Sequence, residues 1–149
     1  ANGEAGDISL IDRLSGKVLK RIPIGENPEF VRIRGNYAFV SFEPAAVGGP
    51  PPKPGSEEAK ALEKAREKEK AEPAQIAVVD LKQGRVIRAI TGGMETEGIE
   101  FSADGNMILV TNEADENITV HEIATGKLVK KIPTAKYGSI EIRPLWSPG

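Results

Sequence analysis

Apolar residues along this chain fall in short alternating runs rather than in long helical stripes. ISLID, IAVVD and ITVHE are rich in β-branched residues and alternate in character, as half-buried strands do. Each is followed by a glycine-containing turn (RLSGK, LKQGR, IATGK) and by a second apolar run, VLKRI, VIRAI or LVKKI. Glycine supplies the positive φ that closes a hairpin, so the pattern predicts three β-hairpins. In the second run of each hairpin, apolar side chains are expected on one face while Lys20, Arg88 or Lys130 points elsewhere, leaving a buried side and a wet side. A helical reading fails because the runs are five residues long and broken by glycine and proline.

The three hairpins are one phrase written three times. Asp12, Asp80 and Glu122 align, followed by Gly16, Gly84 and Gly126; the second and third copies stand 42 residues apart, the first and second 68, so 26 extra residues separate the first pair. A period near 42 belongs to propeller blades and to some helical solenoids, and the strand pattern chooses between them. After each hairpin a loop (PIGENP, TGGMET, PTAKY) leads to a third strand, FVRI, GIEF or SIEI. In the first two copies a turn (RGN or SADGN) then precedes a fourth strand, YAFVSFE or MILVTNE. The unit is a four-stranded antiparallel meander, which cannot bury both faces alone and needs neighbours stacked radially.

The stretch FSADGNMILVTNEADENITVHEIATGKLVKKIP resembles the YVTN-type repeat of bacterial and archaeal β-propellers, in which a strand ending S-P-D-G-K is followed by strands ending V-T-N and V-I-D and by a T-G-K turn. The resemblance is strongest in residues 97 to 133; the first copy lacks the S-x-D-G turn, and the third stops at RPLWSPG before its outer strands. The A-T-G-K turn is also similar to that of quinoprotein propellers, but the tryptophan of that pattern is replaced here by Leu128 and Val129, which argues against a quinone cofactor. The resemblance implies an all-β fold: a β-propeller segment with about two full four-stranded blades and parts of two others. With the innermost strand named first, residues 1–43 hold the outer pair of one blade (7 to 22) and the inner pair of the next, and 75–149 hold the remaining strands, ending in an inner strand near 139 to 143. Propellers close with four to eight blades, so completion by a second polypeptide or a second copy is expected, or else the chain is a fragment of a longer protein. A lone segment would expose sheet faces and edges.

Residues 44–74 differ in kind. The Pro/Gly block at 44 to 55 predicts an extended spacer, and SEEAKALEKAREKEKAE a charged helix capped by Ser56, favoured at its start by Glu57 and Glu58, and stopped by Pro73. Glu63 with Arg66 and Lys64 with Glu67 make i,i+3 pairs, each contributing a few tenths of a kcal/mol. The only apolar strip is Ala59, Ala61, Leu62 and Ala65; beside a reading as a solvated stalk stands one as a docking arm in which Ala59, Leu62, Ala65 and Arg66 meet a partner.

The insertion leaves between the second and third strands of a blade, on the side of the blade-to-blade loops, which in propellers generally carries ligand sites. Loops 23 to 29, 91 to 97 and 133 to 138 are the candidates there, with Glu26, Asn27, Glu29, Glu95, Glu97, Lys136 and Tyr137 as candidate ligand-facing residues. Glu29 and Glu97 occupy equivalent repeat positions and suggest a mouth that binds a hard cation or a basic group, although no Asp-rich calcium loop accompanies them; turn capping and plain solvation are the rival account.

Composition narrows the chemistry further. The chain of 149 residues has a formal charge of −2 and no cysteine, which excludes disulfides, thiolate metal sites, C-x-x-C-H haem attachment and cysteine nucleophiles. No overall basic field draws it to nucleic acid. No apolar run spans a bilayer, and the start, ANGEAGD, has no signal-peptide pattern but is compatible with a mature N-terminus. The single His121 aligns with Ile11 and Val79 and is expected to pack on a strand rather than bind metal. Ser15, Ser102 and Ser139 lack a G-x-S-x-G context. Phe30, Tyr37, Phe39, Phe42, Phe101, Tyr137 and Trp146 are expected mostly in the core or between blades. The expectation is a non-catalytic binding or scaffold module without metal or cofactor of its own, periplasmic or extracellular by resemblance. The rival is a propeller subunit of a redox complex that seats a cytochrome or haem carried by another chain.

Overall fold

The computed structural model describes residues 1–43, 55–57, 59–61, 64 and 72–135. They form ten strands: β1 (Asp7–Ile11), β2 (Val18–Pro23), β3 (Val31–Arg34), β4 (Tyr37–Phe42), β5 (Gln75–Asp80), β6 (Arg85–Thr91), β7 (Thr96–Phe101), β8 (Met107–Asn112), β9 (Asn117–Glu122) and β10 (Leu128–Pro133). Every pairing is antiparallel between consecutive strands, giving a two-stranded sheet β1-β2 and two four-stranded meanders, β3 to β6 and β7 to β10. These are the expected outer pair and two full blades; the strand expected near 139 to 143 lies outside the described residues.

The repeated turns close as their glycines require. Gly16, Gly84 and Gly126 have φ of 68°, 65° and 77°, and their N–H groups donate to the carbonyls of Asp12, Asp80 and Glu122 at 2.8, 2.7 and 2.8 Å. The Asp12 and Asp80 carboxylates bind the turn as well: Ser15 N–H donates to Asp12 Oδ1 at 2.7 Å, and Lys82 and Gln83 N–H donate to Asp80 Oδ1 at 2.9 Å each. Acidic residues bond the backbone of tight turns in this way, so the turn is written into the phrase.

The two cores lie between sheets. Ile8 and Ile22 of the first pair pack with Ala38, Val40, Ala77 and Val79 of the second sheet. The opposite face of that sheet, through Phe39, Ile76, Val78 and Ile90, packs on Ile99, Ile108 and Val110 of the third. Period-two alternation therefore puts smaller side chains toward one neighbour and larger ones toward the other. One expectation needs correcting here: the central strands have no wet side, since Ala38 through Ser41 and Ile76 through Val79 are all buried. A sheet held between two neighbours buries both faces. The basic residue of β2 is corrected too. Lys20 shares a face with buried Ile22 and extends over the next sheet's turn, its Nζ donating to the Gln83 carbonyl at 3.2 Å. Long side chains cover apolar ground while keeping the charge at a polar edge.

Further ties join the second and third sheets. Arg32 Nε donates to the Ile99 carbonyl at 3.2 Å and its guanidinium pairs with Glu100. Phe39 meets Phe101 edge to face with centroids 5.0 Å apart, and Arg34 lies over the Phe101 ring at 5.7 Å. The aromatics thus serve the inter-sheet packing expected of them at these positions. Between β4 and β5, Ser56 caps a helical turn by accepting from Ala59 N–H at 3.1 Å, and Lys60 pairs with Glu57 at 2.8 Å on the surface. Most of the Pro/Gly spacer, the Glu63–Arg66 and Lys64–Glu67 pairs, and Leu62, Ala65 and Arg66 of the arm lie outside the described residues; Ala59 is half-buried and Ala61 exposed.

Candidate functional site

The connections between sheets and the 44–74 insertion leave from one end of the strands, as Phe42 pairs with Gln75 and Gln75 with Thr91. At this end the loops repeat one design. Asn27 and Glu95, equivalent in the repeat, both hold positive φ, 43° and 52°, a region that costs a side chain energy and that tertiary contacts must enforce. The enforcing contacts are visible: Glu43 N–H donates to the Glu26 carbonyl at 3.2 Å, and Glu113 N–H donates to the Glu95 carbonyl at 2.8 Å. Two residues before each strained position a glycine lies against a side chain from the next strand of the sheet. A Cβ at Gly25 would stand 2.4 Å from the Phe42 ring, and one at Gly93 would stand 2.4 Å from the Asn112 amide.

Asn112 is the residue that sequence reasoning missed, although V-T-N was the quoted signature. Buried at the end of β8, it accepts from Thr96 Oγ1 at 3.1 Å and donates to Asn117 Oδ1 at 3.0 Å and Thr119 Oγ1 at 3.1 Å. One amide so joins β7, β8 and β9. The following turn is tied down as well: Asp115 Oδ2 accepts from Met94 N–H at 3.0 Å, and the Glu116 carbonyl accepts from Thr134 N–H at 2.8 Å. The end is a fixed platform, suited to presenting side chains in set positions.

Of the expected ligand-facing residues, Glu26 and Asn27 are half-buried and Glu29, Glu95 and Glu97 are exposed, all at this end; Asn27 Nδ2 donates to Glu29 Oε1 at 2.9 Å. Lys136 and Tyr137 lie outside the described residues. The loops at 23–30, 91–97 and 112–117 carry Glu26, Glu29, Glu95, Glu97, Glu113, Asp115 and Glu116 and no Lys, Arg or His, whereas the 133 to 138 loop of the same end carries Lys136. Like charges brought together in this way make a negative field that favours cationic groups over distances of about one Debye length, ~8 Å at physiological salt. Among the described residues, however, no three His, Asp or Glu side chains converge closely enough to hold a metal ion.

The opposite end holds structural chemistry. Hydrogen bonds from Ser15 keep the Asp12 carboxyl below its usual range, and bonds from Ser102 and Asn106 do the same for Asp104. Both serines serve turn aspartates. His121 is buried between sheets; burial pushes its imidazole down, its Nδ1 lies 3.3 Å from the Gly126 carbonyl, and its Nε2 has no hydrogen-bond partner among the described residues. Among the described residues no helix is long and apolar enough to cross a membrane.

Neither protein-family models nor curated proteins yield a match to this chain. Solved structures do. The chain is similar to Kuenenia stuttgartiensis hydrazine synthase (TM-score 0.60, 20% identity, 87% of this chain and 32% of that one). It is likewise similar to apo AztD from Citrobacter koseri (0.59, 14%, 90% and 30%) and to the dihydro-heme d1 dehydrogenase NirN in complex with DHE (0.59, 19%, 87% and 23%). These are β-propeller proteins, and at such identities the likeness shows the fold: this chain is a segment of a β-propeller built of four-stranded antiparallel blades. The chain spans about a third or less of the length of these structures.

Proposed function

We propose that the chain is a non-catalytic binding or scaffold module, with its acidic, blade-connecting end as the binding face and with its ring completed by further blades, carried by another polypeptide, by a second copy or by a longer form of this chain. One comparison of equivalent residues carries the completion. Ile22, Ile90 and Ile132 hold the same repeat position; the first two are 0% and 1% exposed, each covered by the following sheet, whereas Ile132 is 37% exposed. At the other end Ile11, equivalent to the fully buried Val79, is 54% exposed. Fully burying one such side chain stabilises by about 1.5–3 kcal/mol, so both outer faces favour a neighbouring blade. Against the binding face, a partner with a basic surface is favoured by the loop carboxylates, and the 44–74 arm, with Ala59, Leu62, Ala65 and Arg66, emerges beside it. The finer YVTN relationship and a periplasmic or extracellular setting go with this reading. Its test is purification from native source: a colourless particle heavier than the lone chain, whose partner binding weakens with salt, supports it. Substrate turnover by the protein alone overturns it.

A second reading draws on two of the similar structures, hydrazine synthase and a heme d1 dehydrogenase, whose names place propellers in redox enzymes. In it this chain seats a cytochrome or haem held by another chain. A purified complex with haem absorbance selects this reading over the first.

A further inference from the structure

We infer that His121 is an acid-sensitive latch: when its imidazole takes up a proton, the joint between the second and third sheets opens, while the equivalent joint between the first and second stays closed. This goes beyond the module reading and holds whatever completes the ring. His121 lies on the face of the third sheet that meets the second. It stands opposite Ile108 of β8, which is fully buried in the core between those sheets, and opposite Leu128 of β10. His121 itself is 3% exposed. Its equivalent in the second sheet is Val79, buried against the first pair of strands. The slot that one joint fills with valine is filled in the other by a group that can become charged.

Neutral imidazole fits this slot with one polar atom left over. A carbonyl can only accept, so Nδ1 carries the proton and donates to the Gly126 carbonyl at 3.3 Å, leaving Nε2 as an acceptor with no partner among the described residues. Protonation turns Nε2 into a charged donor, still unpaired and still buried, which is far more costly than an idle acceptor. The charged groups of the surrounding strands do not relieve it. In the second sheet, Arg32 and Arg34 of β3, Tyr37 of β4, Asp80 of β5 and Arg88 of β6 share the face of Phe39 and Val78 that meets the third. Arg88 lies over the residue that holds the imidazole: a Cβ at Gly126 would stand 3.9 Å from its Nη1. The third sheet adds Glu100 of β7, Glu122 of β9 and Lys131 of β10, and the Lys131 charge disfavours a second cation beside it. The carboxylates are engaged: Glu100 by the Arg32 guanidinium and the Phe101 N–H, Glu122 by the Thr125 hydroxyl, and Asp80 by the N–H groups of Lys82 and Gln83. Water relieves the imidazolium, and it reaches Nε2 when the sheets part. Burial, with the Lys131 charge, holds the imidazole below 6.5 while the joint is closed, and opening restores the ordinary value. Each pH unit below 6.5, down to the closed-state value, therefore raises the population of the open joint by up to about tenfold. Val79 takes up no proton, so the first joint has no such dependence.

The chain contains no cysteine, so a single cysteine placed in each joint reports its opening by thiol labelling. In the full chain, Ile108→Cys reads the His121 joint and Val40→Cys, equally buried in the other core, reads the first; the ratio of their labelling rates cancels the thiol's own response to pH. As pH falls from about 7.5 to about 5.5, Ile108→Cys is expected to lose protection several-fold relative to Val40→Cys. Adding His121→Val, which copies the slot of the second sheet, is expected to abolish the change. Parallel loss of protection at both cysteines means global unfolding and overturns the latch. A flat ratio overturns it too, as does a ratio that still moves with His121→Val in place. Hydrogen exchange of the unsubstituted chain decides the same question if a cysteine variant does not fold. Corrected for intrinsic rates, exchange rising in acid in β9 and β10 but not in β1 and β2 supports the latch, and a uniform rise or none overturns it.

Discussion

Replacing Asn112 by alanine tests whether one buried amide holds a blade together. The side chain is 2% exposed and bonds Thr96 on β7 and Asn117 and Thr119 on β9, at 3.0 to 3.1 Å. Each bond contributes about 1 kcal/mol net, and the two threonine hydroxyls left behind are themselves buried, which adds to the loss. Asn117 is half-buried and regains water. The expected cost is about 3–4 kcal/mol, a large part of the stability of a domain this size. With a urea slope near 2 kcal/mol per molar, the unfolding midpoint falls by roughly 1.5–2 M. Gly93→Ala approaches the same network from outside, because its Cβ would stand 2.4 to 2.7 Å from the Asn112 amide and must displace it. The two changes therefore couple: Gly93→Ala costs much less once Asn112 is already alanine. A cost below about 1 kcal/mol for Asn112→Ala, or simple additivity of the pair, refutes the network as the tie between β7, β8 and β9.

Two further outcomes follow from burial. Ile90→Ala is expected to cost about 2–5 kcal/mol and Ile132→Ala, assayed in dilute single chains by the same urea titration, less than about 1 kcal/mol, although both hold one repeat position; equal costs contradict the open outer face. His121 is the only histidine, and burial holds its imidazole below its ordinary 6.5, so folding favours the neutral form. Its contribution is present above 6.5 and is lost as pH falls from there toward the depressed folded value, with a slope of up to about 1.4 kcal/mol per pH unit. His121→Leu should flatten the pH dependence of chemical denaturation just below pH 6.5, and an unchanged slope in that variant rules the group out.

The strands and turns were legible because their causes are local. Asp12, Gly16 and their copies write the hairpin turn within five residues, and the structure gives each glycine the positive φ that the phrase demanded. Burial was less legible because it is decided by what lies across a gap. In YAFVSF and QIAVVD nothing distinguishes one wet face from none; only the sheets on either side bury Ala38 through Ser41 and Ile76 through Val79. Lys20 was read as pointing away from the core, since charge suggests water, yet its long stem lies on the buried face and carries the amine to the next turn.

The site divides along the same line. Topology alone placed Glu26, Asn27, Glu29, Glu95 and Glu97 at one end, because antiparallel meanders return every blade-to-blade loop to that side. Their chemistry there was less legible, as convergence of carboxylates depends on loop geometry that strand pattern does not encode. Asn112 escaped for a comparable reason: its partner Gly93 sits nineteen positions earlier, and only the missing Cβ reveals that the amide fills that space. The position equivalent to Asn112 is Phe42, lying against Gly25. One copy thus fills the niche with a ring and the other with a hydrogen-bonded amide, so the repeat preserves the shape of the niche and not its chemistry.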